Sequence, residues 1–260
     1  MRKSIIKNEK DRKAIIGFVL LTIVVISIAM IQFMLAESGK VNEQTLCPLD
    51  GAKKSTVILI DKSDKWDSDD VVRIREWLTN LYSNISANDR LTMVAITGKG
   101  RDSTEVNNLF DKCNPGSEKE CNALYQNCRR IMKRYKESFG EQLAEIRMLL
   151  EKPGESSFSP LFETLVQIID DNETPELDIH LVSDLMENGA NFRFYDQIPL
   201  SDAIVAEYPI SSTSDIQVYA HIEERRRHSR NMINAVESVW RQYLEQQGIT
   251  AEFKRLLIAD

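Results

Sequence analysis

Residues 55–61 read Ser-Thr-Val-Ile-Leu-Ile-Asp, an apolar run that ends in an aspartate. A short run rich in β-branched residues is typical of a strand that is buried on both faces of a sheet. Directly after it, Asp67 to Asp70 offer an N-cap and an acidic first turn, and apolar residues recur at helical spacing from Val71 to Tyr82. The sequence therefore predicts a buried strand followed by an amphipathic helix.

The alternation of strands and helices continues along the chain. Apolar residues at steps of three and four predict a long amphipathic helix over residues 118–151, or a helix pair broken at Gly140. Strands that alternate with helices favour an α/β fold, with a doubly wound, mostly parallel sheet flanked by helices. The other predicted strands span 91–96, 106–110, 177–183, 216–222 and 250–254, and the other helices span 161–169 and 230–247.

The composition is that of a folded protein with an acidic balance. Of the 260 residues 42% are hydrophobic and only 10 are glycine and 7 proline, which excludes collagen-like and wholly disordered classes. The 33 basic and 40 acidic residues give a formal charge of −7, which disfavours an electrostatic surface for nucleic acid. We therefore expect no nucleic-acid partner.

Residues 14–36 form an uninterrupted apolar run without a charged residue. About 20 apolar residues in a helix span the roughly 30 Å hydrocarbon core of a bilayer, whereas the apolar part of a signal peptide has only about 7 to 15. A cut after Ala36 would also need a small residue where Met34 stands. The sequence therefore predicts one N-terminal transmembrane helix over residues 14–36 of a single-pass membrane protein.

Basic residues before this run predict its orientation. Residues 1–13 carry six basic and two acidic residues, and the positive-inside rule places such a tail in the cytoplasm. A juxtamembrane linker at residues 37–54 would then lead from the (inner) membrane to a periplasmic or extracellular domain at residues 55–260. Within this domain we predict a cysteine-bearing helical elaboration at about residues 99–155.

All four cysteines follow the apolar run, in a compartment where disulfides persist. Cys121 and Cys128 are seven residues apart on the predicted long helix, about 10 Å along its axis, which is too far for a disulfide. Two of the three possible connectivities then remain, and of these we favour Cys113 with Cys121 and Cys47 with Cys128. A zinc site is the alternative, although no Cys-x-x-Cys pair supports it.

Oxygen-bearing side chains stand at the ends of predicted strands. Asp61 and Ser63 follow the first strand, Asp184 follows the strand at 177–183, and Ser159 precedes a Pro-Leu pair at a predicted helix start. Ligands of open parallel sheets collect at the carboxyl ends of the strands. Carboxylate and hydroxyl oxygens are ligands that Mg²⁺ or Ca²⁺ accepts, so a cation site is predicted at this edge.

This order of motifs resembles the von Willebrand factor A (vWA) domain family, over about residues 55–260. The family has a strand, an Asp-x-Ser-x-Ser motif, a Thr or Ser before Pro-Leu, and an apolar strand that ends in Asp. Its three loops form a metal-ion-dependent adhesion site, where a carboxylate of the partner completes the shell of a divalent cation. The resemblance implies Asp61, Ser63, Ser159 and Asp184 as the corresponding metal residues of this chain.

One position departs from the family pattern. Lys65 stands where the family has its second serine, a direct metal ligand. The ammonium could take the place of the cation beside Asp61 or Asp184, or it could point outward while Asp64 supplies an oxygen. Lys65 and the neighbouring Trp66 are predicted partner contacts at the rim of the site, and packing under the loop is the alternative for Trp66.

The sequence favours binding over catalysis. It contains no Gly-x-Ser-x-Gly elbow, no phosphate-binding loop and no His-Glu-x-x-His motif. We therefore expect that the chain is not an enzyme. We predict a membrane-anchored protein-binding module, a scaffold or sensor in a cell-envelope assembly, that recognises another envelope or membrane protein at the carboxyl edge of its sheet. Two alternatives remain: an envelope metal-dependent hydrolase that uses the same acidic site, and an accessory subunit with a vestigial site that docks through its span or through residues 129–136.

Overall fold

A computed structural model describes residues 9–37, 41–63, 66, 68–98, 104–117, 121, 127–141, 156, 158–222 and 228–255. The predicted tail at 1–13, the linker at 37–54 and the elaboration at 99–155 lie partly outside these residues. The strands are β1 (Lys54–Lys62), β2 (Arg90–Gly98), β3 (Thr104–Cys113), β4 (Glu176–Ser183), β5 (Asp215–Ile222) and β6 (Thr250–Arg255). The helices are α1 (Glu9–Glu37), α2 (Ser68–Ser83), α3 (Cys128–Arg134), α4 (Leu161–Asp170), α5 (Ser201–Glu207) and α6 (Arg230–Gln246), and a π-helical segment, Tyr135–Gly140, continues α3.

The six described strands form one sheet in the order β3-β2-β1-β4-β5-β6. All neighbouring pairs are parallel except β2 and β3, which are antiparallel. The prediction of an α/β fold with a mostly parallel sheet flanked by helices is confirmed. The chain leaves β1 toward β2 on one side and returns to β4 on the other, so the strand order reverses between β1 and β4. Such a reversal opens a crevice at the carboxyl ends of the two strands.

One face of the sheet is covered by α4, α5 and α6, around a cluster of aromatic rings. The ring of Phe162 stacks on Trp240 with centroids 3.9 Å apart and meets the edge of Tyr243 at 4.9 Å. Trp240 and Tyr243 are fully buried, yet their polar atoms are bonded. Trp240 Nε1 donates to the carbonyl of Leu185 at 2.9 Å, and the Tyr243 hydroxyl donates to the carbonyl of Tyr208 at 2.8 Å. This cluster therefore fixes α6 against the chain that follows β4.

The other face is covered by α2 and by the π-helical segment. Ile74 and Leu78 lie one turn apart on α2 and are both fully buried, which is the helical spacing that the sequence predicts. Phe139 packs against Phe110 of β3 at a centroid distance of 5.3 Å. The sheet is thus covered by helices on both faces.

The helix α1 contains the predicted span at residues 14–36. Its large apolar side chains between Ile15 and Met30 are exposed, from 45% at Ile15 to 70% at Phe18. Side chains are described continuously from residue 15 to residue 30 only. Within the described residues, no helix has the length and apolarity needed to cross a membrane.

The chain that precedes β1 lies against the domain. Leu46 is 5% exposed, and the Cys113 backbone N–H donates to the carbonyl of Thr45 at 2.8 Å. A disulfide joins Cys47 to Cys113, with their Cα atoms 4.7 Å apart. The segment at residues 41–53 is therefore attached to the end of the edge strand β3.

The predicted disulfide pairing is wrong, because the structure joins Cys47 to Cys113 and Cys121 to Cys128. The sequence prediction excluded a bond between Cys121 and Cys128 because it placed both residues on one helix. Instead α3 begins at Cys128 and is capped by the side chain of Asn127, so Cys121 precedes the helix. The two Cα atoms are 5.7 Å apart, a separation that a disulfide allows. The presence of two disulfides is confirmed.

The long helix predicted over residues 118–151 is shorter in the part of the chain that the structure describes. It begins at Cys128 and changes to π-helical geometry at Tyr135. The π-helical segment ends at Gly140, but Glu141 keeps helical backbone angles, so the described residues show a change of helix geometry at Gly140 and no break. Residues 142–155 lie outside the described residues, so the second half of this prediction stays a prediction.

Candidate functional site

Asp61 is the centre of a hydrogen-bonded cluster at the carboxyl end of β1. Its side chain is 1% exposed, and its Oδ2 accepts the hydroxyls of Ser159 at 2.9 Å and Ser183 at 3.0 Å. Its Oδ1 accepts the backbone N–H of Ser63 at 3.0 Å. The three serines come from three separate segments, at the ends of β1 and β4 and before α4. The crevice at the strand reversal therefore contains a carboxylate shared by three loops.

Two hydrogen bonds hold the loop after β1 against the domain. The indole Nε1 of Trp66 donates to the backbone carbonyl of Asp61 at 2.9 Å, and Trp66 is only 6% exposed. The carbonyl of Ser63 accepts the N–H of Ser156 at 2.7 Å, which joins this loop to the one before α4. Trp66, predicted as a partner contact, is therefore buried as a support of the loop. Asp64 and Lys65 lie outside the described residues.

Asp184 lies next to Ser183 in sequence but bonds elsewhere. Its Oδ1 accepts the backbone N–H of Met186 at 3.1 Å. Its Oδ2 lies 3.4 Å from Nε2 of His228, and both side chains are 4% exposed. His228 follows β5 and directly precedes the Ser229 cap of α6. The two predicted aspartates thus contact different groups: Asp61 accepts hydrogen bonds from three serines, whereas Asp184 accepts the N–H of Met186 and lies beside His228.

A second buried carboxyl group lies behind the cluster. Glu187 is fully buried, and its Oε2 accepts the N–H of Phe162 in the first turn of α4 at 3.0 Å. Its Oε1 has no hydrogen-bond partner among the described residues. Burial raises the pKa of Glu187 to about 8, the nearby charge of Asp61 adds to the shift, and the N–H groups of Phe162 and Leu161 oppose it. Glu187 is therefore mostly protonated at neutral pH.

Glycine is required beside this glutamate. A Cβ atom at Gly189 would come within 2.4 Å of Oε1 of Glu187. A side chain at this position would push Glu187 from the first turn of α4. The sequence offers a glycine here for close packing rather than for an unusual backbone angle.

The arrangement of the site fits a divalent cation poorly. A bound Mg²⁺ or Ca²⁺ needs six or more oxygen atoms that face one point. Here the hydroxyls of Ser159 and Ser183 donate to Asp61, and the oxygens of Asp184 face a backbone N–H and an imidazole. Among the described residues, no group of three or more His, Cys, Asp or Glu side chains could hold a metal ion. Cation binding by Asp61, Ser63, Ser159 and Asp184 stays a prediction from the resemblance.

Three residues of this cluster were missed from the sequence. Ser183 is the last residue of β4, so the apolar pattern places it in the strand, whereas Asp184 directly follows the strand. Glu187 and His228 carry no local motif, because their contacts join residues far apart in the chain. A serine at the very end of a buried strand is the one signal that could have identified Ser183.

A pair of buried histidines lies outside the site, on the neighbouring strands β4 and β5. Nδ1 of His180 is 3.2 Å from Nε2 of His221, and the ring of Trp77 from α2 lies 4.2 Å from that of His221. Burial, together with the positive charges of Lys54 and Lys254, lowers the pKa of His180 to about 4. The pKa of His221 is lowered to about 3, mainly by burial and secondly by the charge of His180. Both rings are neutral at neutral pH.

No family model and no curated protein matches the sequence. Among solved structures, the chain is similar to the conserved hypothetical protein BatB from Bacteroides thetaiotaomicron, with a TM-score of 0.37 and 10% identity over 79% of this chain and 91% of that one. It is similar to proximal thread matrix protein 1 from the mussel byssus, with a TM-score of 0.36 and 9% identity over 78% of this chain and 44% of that one. It is also similar to the human COPII-coat protein Sec24c, with a TM-score of 0.39 and 10% identity over 80% of this chain and 30% of that one. The chain thus spans less than half of the last two proteins.

Proposed function

We propose that this chain is a membrane-anchored, vWA-like protein-binding module that recognises its partner at the carboxyl edge of its sheet. The observation that carries the proposal is the cluster at Asp61, where hydrogen bonds from Ser63, Ser159 and Ser183 hold three loops at one edge. Open α/β sheets bind their ligands in the crevice at such a reversal of strand order. The buried cluster shapes this edge, and the contacts with a partner are made by the residues around it.

The loop that follows β4 supplies the contact surface. Its exposed side chains include Arg193, Tyr195 at 44% exposure and Leu200 at 80%. Arginine and tyrosine are among the residue types that contribute most to protein interfaces. Phe194, between them, is 1% exposed and fixes the loop in the core. A groove of about 420 Å³ runs along this loop, between Ala190 and Pro199.

The position of this loop depends on the candidate site. Asn188 forms backbone bridges both to Ser159 and to Arg193, so backbone hydrogen bonds join the loop to the segment before α4. Asp184 begins the loop by accepting the N–H of Met186. The ring of Tyr195 lies 5.7 Å from that of His228, the partner of Asp184. A change in Asp184 should therefore alter recognition through the loop rather than through a bound ion.

The proposed anchor is the apolar run at residues 14–36, with the N-terminus in the cytoplasm and the domain in the periplasm or outside the cell. The length of the run, its lack of charge and the basic residues before it support this proposal. The exposure of large apolar side chains from Ile15 to Met30 also supports it, because such a surface is unfavourable in water. Two disulfides suit an oxidising compartment. The proposed partner is another envelope or membrane protein.

Site-specific photo-crosslinking in cells that produce the full chain tests the recognition surface. A photoreactive residue at Tyr195 should trap one defined protein, whereas the same residue at Val72, which is 52% exposed on α2, should not. The substitution Asp184→Ala should reduce the adduct at position 195 several-fold while the chain stays folded. Adducts that are equal at both positions, or that persist unchanged in Asp184→Ala, would contradict the proposal.

We propose that recognition needs no bridging cation, because the oxygens of the site already face groups of the protein. Calorimetric titration of the full chain in detergent with Mg²⁺, Ca²⁺ and Mn²⁺ tests this point. We expect flat heats and an unchanged melting temperature with all three ions. A rise in melting temperature that Asp61→Ala abolishes would instead support the cation-bridged site that the family resemblance implies.

We also propose that the chain acts by binding rather than catalysis. The proposal comes from the sequence, which carries none of the catalytic motifs sought. The described geometry offers no observation that favours the hydrolase alternative.

A further inference from the structure

The segment before β1 and the helix α3 form a groove at the amino edge of the sheet, opposite the candidate site. The groove has a volume of about 360 Å³ and is lined by the segment at residues 41–53, by the turns before β2 and after β3, and by Ile131 and Arg134 of α3. The disulfide between Cys47 and Cys113 fastens one wall. We call this region the base of the domain.

The base carries an excess of positive charge on the outer side of α3. Between Cys128 and Glu141 the chain has five basic residues and two acidic ones. The lining of the groove includes Asp50 and Asp89 as well as Lys53 and Arg134, so charges of both signs line its walls. The basic side chains that remain outside are all exposed, and we call them the basic face: Arg129, Arg130, Lys133 and Lys136.

Apolar side chains project beside the basic face. Leu49 lies between the groove residues Pro48 and Asp50 and is 67% exposed. Met132 lies next to the groove residue Ile131 and is 41% exposed. Exposed apolar residues next to basic residues are typical of surfaces that rest in the headgroup region of a membrane.

The length of the chain keeps the base close to any membrane that contains α1. Only three residues separate the end of α1 at Glu37 from Val41, which begins the wall of the groove. Four residue steps of extended chain cover at most about 14 Å. The basic face is therefore near the lipid headgroups whenever the helix is inserted, and lipid is the occupant that its position selects.

We propose that the base of the domain docks on an anionic lipid surface, with the basic face on the headgroups and Leu49 in the interface. This inference rests on the membrane anchor proposed above. Each basic residue near an anionic surface strengthens binding by about fivefold, so the reversal of two should act strongly. Docking would hold the domain upright on the membrane and leave the candidate site turned away from it.

Quenching of tryptophan fluorescence by brominated lipids tests the docking in the full chain. The variant Leu49→Trp places a tryptophan at the proposed contact. Native Trp66 and Trp240 are buried and Trp77 is half-buried, so the chain without the added tryptophan gives the baseline. The chain is reconstituted in brominated phosphatidylcholine vesicles with and without phosphatidylglycerol. We expect quenching of the added tryptophan only when phosphatidylglycerol is present, and loss of that quenching in high salt.

A pair of charge-matched variants makes the test specific. In the Leu49→Trp background, Arg129→Glu with Arg130→Glu should lower the docking equilibrium at least about 25-fold. The control combines Arg230→Glu with Lys254→Glu, two exposed cations at the opposite edge, and should leave docking unchanged.

Flotation of the same vesicles separates the two proposals. If the chain floats with the vesicles but the added tryptophan is not quenched on anionic lipid, the docking is refuted and the anchor stands. If quenching is equal on neutral and anionic vesicles, or survives the reversal of both arginines, the electrostatic docking is refuted as well. If the chain does not float at all, the anchor itself fails, and the docking fails with it.

Discussion

The buried pair of His180 and His221 should make the protein sensitive to mild acid. The two rings are 8% and 6% exposed, and their nitrogens are 3.2 Å apart. Tyr219 stacks on His180 with centroids 4.8 Å apart, and Trp77 covers His221. The ring-to-ring hydrogen bond needs one donor and one acceptor, so it is lost when both rings are protonated. Acid should therefore act on the contact between β4, β5 and α2.

The magnitude follows from the lowered pKa values. Each unfolded histidine has a pKa of 6.5, whereas the folded values are about 4 for His180 and about 3 for His221. Because the folded state binds fewer protons, stability is complete above pH 6.5 and is lost as the pH falls below it. Between pH 7 and pH 5 each histidine should remove about 2 kcal/mol of unfolding free energy, or about 4 kcal/mol for the pair.

Urea unfolding at pH 7 and pH 5 measures this loss, with the disulfides intact and tryptophan fluorescence as the probe. The matched variant carries His180→Asn and His221→Gln, whose amides stand near the positions of Nδ1 and Nε2. Other titrating groups cancel when native and variant chains are compared. The native chain should lose about 4 kcal/mol more than the variant. Equal losses in both chains would refute the assignment of the acid sensitivity to this pair.

Three further outcomes can be measured by the same unfolding assay. Ser183→Ala removes a buried donor to Asp61 and should cost about 2 to 3 kcal/mol; a cost below about 0.5 kcal/mol would show that the cluster does not hold its loop. Glu187 has a raised pKa of about 8, so its contribution is complete below its unfolded pKa of 4.5 and is lost as the pH rises through 8. From pH 7 to pH 9 the native chain should therefore lose about 1.4 kcal/mol that Glu187→Gln does not lose, whereas parallel pH profiles would contradict the burial of this proton. The Cys47–Cys113 disulfide closes a separation of 66 residues, and the Cys121–Cys128 disulfide closes one of 7. Replacing the first pair by alanine should therefore lower the free energy of unfolding by about 4 kcal/mol, and replacing the second by about 2 kcal/mol. A larger loss for the second pair would contradict the loop-closure reasoning.

The strands could be predicted closely from the sequence. The apolar run at 55–60 lies within β1 (Lys54–Lys62), and the run at 177–183 lies within β4 (Glu176–Ser183). Buried parallel strands are apolar on both faces, which distinguishes them from the polar loops on either side. The strength of this local signal also explains why the order of strands and helices was enough to predict the fold class.

The pairing of the cysteines could not be predicted, because the geometry of Cys121 and Cys128 depends on where a helix begins. The seven-residue spacing of Cys121 and Cys128 forbids a bond inside a helix and allows one when the helix starts at the second cysteine. Helix ends are set by caps such as that of Asn127, and this cap is a weak signal in a polar stretch.

The candidate site could be predicted in part. Asp61 and Ser159 meet as expected, because carboxyl ends of strands and starts of helices share an edge in this fold. The place of Asp184 beside His228 could not be predicted, since the imidazole comes from a segment after β5 with no motif of its own. Whether an aspartate faces a metal or another side chain depends on such distant partners.

The central strand β1 has its amino end at the disulfide-fastened segment and its carboxyl end at the Asp61 cluster. A force applied between the two ends would run lengthwise along this strand. Hydrogen bonds to β2 on one side and β4 on the other would then be sheared together, whereas a force at a sheet edge breaks such bonds one by one. If the domain is pulled between its N-terminal segment and a bound protein, the force acts on β1, the strand that is hydrogen-bonded to β2 and β4 on its two sides.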